Sequence, residues 1–380
     1  MKNNKLIYSV ISFFIILSLV CSTNSTYAQS RKKQLISSDG NFNVYEVSGI
    51  SNNSKLGDGI YDIIWNGKQC LAFSSNYLMQ SNDCINWDLK KYKWNGYPSV
   101  DKQGNPVYDF EFNNVNKIIF NGKMYVAVCN QSLSYYSYDG ISWNASFDES
   151  DRDQFERLYN IIWTGKEFVA VGNYSSDRGW TENNYNPVIV SSSDGIHWKT
   201  LYRGNVKGDI FNAFNDILKI PSGFIAVDEN GLIVKYDSLN NKITTFKLPF
   251  TDLYLKKTPT INSIVNYQGT YILSTSYSTY MTTDFKTWKS YPRIDFDLSF
   301  TMNNKLYGFQ KGYGDNKLNE YYKTRYDVSP IIKFSELNNL LMFKNKVFLV
   351  GKYAQFYILE KNNLLVVLVT YETSNESIGI

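Results

Sequence analysis

Short apolar runs recur along the chain, and each is followed by a turn signal. The first run, DIIW at residues 62–65, precedes NG and then a second apolar run, CLAF. Asn-Gly between two apolar runs predicts a two-residue β-hairpin turn, because both residues adopt positive φ easily. We expect the first run to be an innermost strand that is buried on both faces.

The same unit repeats through the chain. It spans residues 62–87, returns at 117–143, and returns again at 160–198 with a longer middle section. Weaker copies begin at Asp216, Ser263, Phe300 and Asn339. Seven first strands over about 350 residues give about 50 residues per unit, the period of a four-stranded propeller blade. The predicted fold is therefore all-β, a β-propeller of seven four-stranded blades.

A box of the form S-x-D-G-x-x-W closes four of these units. Its aspartate can accept backbone N–H groups, its glycine can relieve a strained φ, and its tryptophan can fill a gap between layers. Cys84 and Phe285 replace the glycine in two copies. The predicted structural residues are Asp83 and Trp87, Asp139 and Trp143, Asp194 and Trp198, and Asp284 and Trp288.

These boxes resemble the Asp-box, or BNR, repeats of sialidase-like β-propellers, in a form one residue shorter than S-x-D-x-G-x-T-W. The resemblance covers nearly all of residues 29–380 and implies the fold. It does not imply one activity, because such propellers include sialidases, xyloglucan-cleaving hydrolases, photosystem assembly factors and sorting receptors.

The third box contains His197, the single histidine of the chain. The other copies carry Asn86, Ser142 and Thr287 at that position. This variation argues against a shared structural need and against a catalytic base. We predict that His197 is a solvent-side turn residue.

The N-terminus predicts export. Lys2 and Lys5 precede an apolar run over residues 6–20, and Ala28 is suited to cleavage, so residues 1–28 read as a signal peptide and residues 29–380 as one propeller domain. A lipid anchor on Cys21 is the less favoured alternative. The run is short for a membrane span, so we expect a secreted or cell-surface protein without one.

Composition narrows the possible chemistry. The chain has 39 basic and 35 acidic residues, a balance that does not indicate nucleic-acid binding. Cys70, Cys84 and Cys129 remain after the predicted cleavage and form no CxxC motif, so one disulfide with an odd thiol and three buried thiols both stay open. No metal site or cofactor is predicted.

Either end of the chain could close the ring of blades. The segment at 35–47 looks like the end of a blade, but the apolar segment at 362–372 could also supply the outer strand.

The long insertions fall mainly in the turns between second and third strands and in the connections between units. In a propeller both kinds of loop lie on one face, which we call the long-loop face. The insertions are rich in aromatic residues beside charged ones. The predicted ligand-binding residues are Trp94, Tyr97, Tyr174, Asp177, Arg178 and Trp180.

We therefore predict a monomer that binds a glycan or an extracellular protein through this face without catalysis. A glycoside hydrolase with two carboxylates on the same face is the main alternative. A sialidase is disfavoured, because the region at 54–64 lacks the arginine that the family places ahead of its early blades. A purely structural or assembly protein is a third class.

Overall fold

A computed structural model of the protein describes residues 33–38, 42–47, 50, 54–57, 59–95, 99–100, 106–107, 115–130, 134–146, 157–175, 185–204, 212–250, 258–292, 298–309, 317–320, 325–327, 337–351 and 356–361. These residues form strands and one 3-10 helix, Ser54–Leu56. None of the helical structure within them is long and apolar enough to cross a membrane. The predicted signal peptide lies outside these ranges.

Four-stranded antiparallel sheets dominate the described chain, as the repeat predicts. The strands before the second sheet are β1 (Lys33–Ser38), β2 (Phe42–Val47), β3 (Ile60–Trp65), β4 (Cys70–Ser74), β5 (Tyr77–Ser81), β6 (Asp88–Lys91), β7 (Lys93–Trp94), β8 (Ser99–Val100) and β9 (Pro106–Val107). Strands β3 to β6 form sheet 1 in chain order, and β8 pairs with β9.

The next three sheets keep the same order. Sheet 2 contains β10 (Val115–Phe120), β11 (Tyr125–Cys129), β12 (Ser134–Ser137) and β13 (Ser142–Ser146), with β7 added in parallel beside β13. Sheet 3 contains β14 (Arg157–Trp163), β15 (Phe168–Ser175), β16 (Tyr185–Ser192) and β17 (Lys199–Arg203). Sheet 4 contains β18 (Phe214–Ile220), β19 (Gly223–Asp228), β20 (Leu232–Asp237) and β21 (Lys242–Lys247).

The last sheets bring the two ends of the chain together. Sheet 5 contains β22 (Ile261–Tyr267), β23 (Thr270–Thr275), β24 (Ser278–Thr282) and β25 (Lys289–Pro292). Sheet 6 contains β26 (Leu298–Met302), β27 (Lys305–Phe309), β28 (Lys317–Glu320) and β29 (Arg325–Asp327). Sheet 7 contains β30 (Leu337–Phe343), β31 (Lys346–Gly351) and β32 (Phe356–Lys361), followed by β2 and then β1.

The N-terminal segment therefore supplies the outer strands of sheet 7. Strand β2 pairs antiparallel with β32, and β1 pairs with β2. The C-terminal segment at 362–372, which we considered for the same place, lies outside the described residues.

Apolar side chains join each sheet to the next. Phe348 of sheet 7 and Ile63 of sheet 1 belong to one buried cluster, and comparable clusters join sheets 1 and 2, 2 and 3, 3 and 4, 4 and 5, and 5 and 6. Strand β26 contacts β30. Each sheet therefore contacts the next one in the chain, and sheet 7 contacts sheet 1.

The first strands are not buried on both faces, so that prediction was wrong. In β3, Ile63 is buried but Trp65 is 38% exposed. The second strands β4, β11 and β19 are buried at every residue. The second strand has a neighbouring strand on both sides and a packed sheet on both faces, whereas the first strand forms the inner edge of its sheet.

The two-residue turn after the first strand lies one residue later than predicted in the three strongest copies. Trp65 pairs with Cys70, and inside that pair the N–H of Asn66 donates to the carbonyl of Gln69 at 3.2 Å, so Gly67 and Lys68 are the turn residues. The side chain of Asn66 accepts the N–H groups of Lys68 and Gln69 at 3.0 and 2.9 Å. This Asx turn places Asn66 before the tight turn rather than within it.

Candidate functional site

The four boxes share one hydrogen-bonding arrangement. Oδ1 of Asp139 accepts the N–H groups of Ile141 and Ser142 at 2.8 and 2.6 Å and the hydroxyl of Ser137 at 3.0 Å. Asp83, Asp194 and Asp284 accept the corresponding groups in their own turns. Each carboxylate therefore holds its turn closed.

These hydrogen bonds lower the pKa of the box aspartates. In the first three boxes partial burial opposes ionisation, but the hydrogen bonds outweigh it. In the fourth box, the backbone N–H groups of Thr287 and Lys286 lower the pKa of Asp284 to about 2. The four carboxylates are thus tuned to remain charged acceptors.

The position of His197 has a shared structural role, contrary to our expectation. His197 Nδ1 lies 2.8 Å from Oδ2 of Asp194, and its side chain is 68% exposed. Asn86, Ser142 and Thr287 donate from their side chains to the same oxygen of their own aspartates. Different residue types serve here because each can provide one hydrogen-bond donor.

The residues that replace the box glycine keep its backbone conformation. Cys84 and Phe285 have φ of 59° and 60°, close to the 76° of Gly140. Cys84 also forms a disulfide with Cys70, across a Cα–Cα distance of 5.6 Å. Cys129 is a free thiol, and burial raises its pKa. Among the described residues, the cysteines therefore form one disulfide and leave one odd thiol.

The box tryptophans pack between sheets. Trp143 is fully buried against Phe73 of sheet 1, with ring centroids 6.1 Å apart. Trp87 meets Phe356 of sheet 7 edge to face at 5.2 Å. Trp198 and Trp288 belong to the clusters that join sheets 2 and 3 and sheets 4 and 5.

A second set of polar residues lies on the first strands, on the inner edge of the sheets. A register shift interrupts the pairing of six first strands just before one polar residue. We call these residues the polar belt: Asp62, Lys117, Asn160, Asp216, Ser263 and Asn339.

Side chains of the polar belt connect neighbouring sheets. Asn160 donates to Oδ1 of Asp216 at 2.6 Å, and Oδ2 of Asp216 accepts the N–H of Ile264 at 2.9 Å. Asn339 donates in the same way to Asp62.

Asp62 continues this connection into sheet 2. It accepts the N–H of Ile118 at 2.7 Å and lies 3.5 Å from Lys117 Nζ. Sequence reasoning missed this belt, although a polar residue precedes the apolar pair in DII, NII, DIL and NLL.

The residue before three of the belt positions adds a parallel set of contacts. Asn116, Asn215 and Asn338 each donate to a backbone carbonyl on the next first strand, at 2.8 to 2.9 Å. Their side chains are only partly buried. With Tyr61 and Tyr159 at the same position of other strands, they place amides and phenols at the long-loop face.

The ends of sheets 3 and 4 form a polar cluster at this face. Asn173 donates to the hydroxyl of Tyr159 at 3.3 Å, and the Arg157 guanidinium lies 5.2 Å from the ring centroid of Tyr185. Burial, together with the charge of Glu229, raises the pKa of Tyr159. The cluster thus joins two sheets through charged and phenolic groups.

Asp228 is a buried carboxylate within this cluster. It accepts the side chain of Asn212 at 3.0 Å and the N–H groups of Asn230 and Leu232 at 2.9 and 2.6 Å. Burial raises the pKa of Asp228 to about 6 despite these bonds. Ser74 and Thr275 hold the corresponding turns of other sheets, so Asp228 occupies a turn-closing position.

The predicted ligand-binding residues divide into three groups. Tyr174 donates its hydroxyl to the carbonyl of Gly204 at 3.1 Å, and Arg203 covers its ring at 4.7 Å. Trp94 lies on β7, where its backbone pairs with that of Trp143 at the outer edge of sheet 2. The others lie outside the described residues: Tyr97, Asp177, Arg178 and Trp180.

No protein-family model matches this chain, and no curated protein sequence does. Solved structures match most of it. One is a catalytically inactive virginiamycin B lyase from Staphylococcus aureus with quinupristin, at a TM-score of 0.58 and 12% identity over 84% of this chain and 99% of that one. Another is YCF48 bound to D1 peptide, at 0.54 and 14% identity over 88% and 99%.

A third similar structure is the extracellular domain of the putative hybrid two component system BT4673 from B. thetaiotaomicron. Its TM-score is 0.53 at 11% identity over 85% of this chain, which spans 40% of that one. These neighbours are β-propellers. This chain has the β-propeller fold. At such low identity the likeness carries the fold and no activity.

Proposed function

We propose that this protein is an exported, monomeric propeller of the Asp-box kind, with its seven sheets as seven blades. Its function is to bind a glycan or an extracellular protein at the long-loop face without catalysis. The hydrogen bonding of the carboxylates near this face is the observation that carries the proposal. Its ligand groups are Trp94, Tyr97, Asp177, Arg178 and Trp180, with Tyr174 as a packed support.

The belt carboxylates are occupied by structural partners. Both oxygens of Asp62 accept backbone N–H groups or amide donors, and the same holds for Asp216. A carboxylate held in this way is a poor general base or nucleophile, because its lone pairs already serve the fold. The partly exposed groups beside them, such as Asn215 and Tyr61, suit recognition of hydroxyl or amide groups instead.

Asp228 is the described carboxylate to consider for the alternative of glycoside hydrolysis. A hydrolase needs an acid with a raised pKa facing the sugar. Asp228 has the raised pKa, but it is 1% exposed and closes a turn. Its properties are explained by burial, so it does not favour catalysis.

Export is supported by two features of different kinds. The apolar segment at residues 6–20 suits a signal peptide. The Cys70–Cys84 disulfide suits an oxidising compartment. A mature N-terminus at residue 29 of the exported protein, read by mass spectrometry, is the expected result. A retained segment at 1–28 would contradict it.

Binding and catalysis can be separated in one experiment. The purified chain is applied to a glycan array and to biotinylated peptides, and is incubated with a panel of fluorogenic glycosides. We expect binding that Trp180→Ala and Arg178→Ala abolish, and no glycoside turnover. Asn240→Ala, an exposed variant in the turn between β20 and β21, should bind normally. Turnover lost in Glu229→Gln or Asp177→Asn would overturn the proposal in favour of a hydrolase.

A further inference from the structure

The first box of the chain borders an open concavity. The ligand binding proposed for the long-loop face does not involve it. The concavity encloses about 320 Å³ beside the box turn of sheet 1. Its lining is polar, with Gln69, Gln80, Asn82, Asp83 and Asp88 around the indole of Trp87. Asp83 holds the turn between β5 and β6, whereas the long-loop face lies at the opposite ends of these strands.

Three amides of this concavity are available to a ligand. Within the described part of the chain, the side chains of Gln69, Gln80 and Asn82 form no hydrogen bond. Each amide presents both donors and an acceptor. A sugar hydroxyl is likewise both donor and acceptor, so amides at several sides of a concavity match a saccharide ring.

The charge of the lining selects among saccharides. Asp83 and Asp88 are acidic, and the lining contains no lysine or arginine. Sialylated, sulfated or phosphorylated sugars carry anionic groups that this surface would repel. The lining therefore suits a neutral saccharide.

Trp87 differs from its counterpart in the second box. Trp143 is fully buried, and its Nε1 donates to the carbonyl of Gly140 at 2.9 Å. Trp87 is partly exposed, and its Nε1 has no acceptor within the described residues. The first box thus contributes exposed indole surface to the concavity, and aromatic surface can stack on the C–H face of a sugar ring.

The concavity is held in place before any ligand arrives. Asp83 closes the turn through Ile85 and Asn86, and the Cys70–Cys84 disulfide ties the turn to β4. A rigid binding surface loses less conformational freedom when a ligand binds.

We propose that this concavity is a binding site for a neutral saccharide, on the box side of sheet 1 and separate from the long-loop face. Gln69, Gln80 and Asn82 contact hydroxyl groups, and the exposed part of Trp87 packs against the ring. The site recognises sugar without cleaving it, since both oxygens of Asp83 are engaged in the turn.

Titration calorimetry with neutral oligosaccharides tests the proposal. The probes are chitotriose, cellotetraose, maltotriose and mannotriose, with sialyllactose as the anionic comparison. We expect one neutral probe to bind, and Gln69→Ala/Gln80→Ala to weaken that binding about tenfold, as expected for the loss of one to two hydrogen bonds. Trp87→Phe should weaken it as well.

Matched variants in sheet 3 serve as controls. Glu167 and Ser193 occupy the positions of Gln69 and Asn82 in that sheet, so Glu167→Ala and Ser193→Ala should leave the affinity unchanged. Circular dichroism of each variant checks folding. Failure of every neutral probe at millimolar concentration would overturn the proposal, as would preferred binding of sialyllactose. Binding that is lost in Trp180→Ala instead would place the sugar at the long-loop face.

Discussion

The side-chain amide of Asn339 donates a hydrogen bond to the carboxylate of Asp62, across 277 positions of sequence. Asn339 lies on the first strand of sheet 7, and Asp62 lies on the first strand of sheet 1. Asn338 repeats the connection by donating to the carbonyl of Ile60 at 2.9 Å. Polar contacts therefore join the two ends of the sheet series at its inner edge.

Substitution of Asn339 should reveal what this contact contributes. Asn339→Leu removes one donor from fully buried Asp62, and we expect the free energy of unfolding to fall by about 1–3 kcal/mol. Asn339→Asp should cost more, because it sets a second carboxylate beside the first. Urea unfolding at pH 7.5 measures both. Equal losses for the two variants would contradict a direct contact between the side chains at positions 339 and 62.

Removal of the N-terminal strands should affect sheet 7. A chain that begins at residue 48 lacks β1 and β2 and exposes the edge of β32, so we expect lower stability and self-association. A chain that begins at residue 39 keeps β2, and it should remain monomeric by light scattering. If both chains behave like the full protein, the pairing of β2 with β32 is not needed for closure.

The Cys70–Cys84 disulfide should stabilise sheet 1. It closes a loop of 14 positions, for which chain entropy predicts about 3 kcal/mol. Cys70→Ala/Cys84→Gly should lose about that amount in urea unfolding. Cys70→Ala/Cys84→Ala should lose about 1 kcal/mol more, because alanine would have to adopt the positive φ of position 84. If the variant with glycine at position 84 were less stable than the variant with alanine, the positive φ at this position would be contradicted.

Phe285 combines backbone strain with useful packing. Its ring meets Tyr271 at 4.6 Å and Phe246 at 5.3 Å, so Phe285→Ala should cost about 3–5 kcal/mol. Phe285→Gly should cost about 1 kcal/mol less, because glycine tolerates the φ of 60°. Thermal and urea unfolding give the comparison. A glycine variant less stable than the alanine variant would contradict the strain.

Asp228 should make stability depend on pH. Its pKa of about 6 lies above the ordinary aspartate value of about 3.9, so the folded state binds more protons between those pH values. The free energy of unfolding should therefore fall as pH rises from 4 to 6, by at most about 3 kcal/mol. Asp228→Asn should lack this loss, and its stability relative to the original protein should improve from pH 4.0 to pH 7.5 in urea unfolding. If the difference in free energy of unfolding between Asp228→Asn and the original protein does not change with pH, the raised pKa of Asp228 is ruled out.

The repeat and the box chemistry could be predicted because their interactions are local. Among the described residues, Asp139 accepts hydrogen bonds only from residues within three positions of itself. The spacing of Ser137, Asp139 and Trp143 in the sequence is therefore enough to predict the structure of the turn. The four-stranded sheets follow from the same regularity. The sequence did not decide between one disulfide and three free thiols, because spacing along the chain does not show that Cys84 lies next to Cys70.

The errors concern position within the tertiary structure. We expected Trp65 to be buried, yet it lies at the inner edge of a sheet and is 38% exposed. We expected no shared role at position 197, because its four residue types differ, yet each can donate to the box aspartate. Residue type and spacing do not specify which side of a strand receives a neighbouring sheet.

Sequence alone thus yields the strand pattern and the chemistry of each box turn, since those hydrogen bonds form between residues a few positions apart. Tertiary structure decides which end of the chain completes sheet 7 and which residues form the polar belt. Asn339 and Asp62 meet only because the five sheets between them pack side by side and bring the first strand of sheet 7 next to the first strand of sheet 1, a geometry that no local interaction encodes.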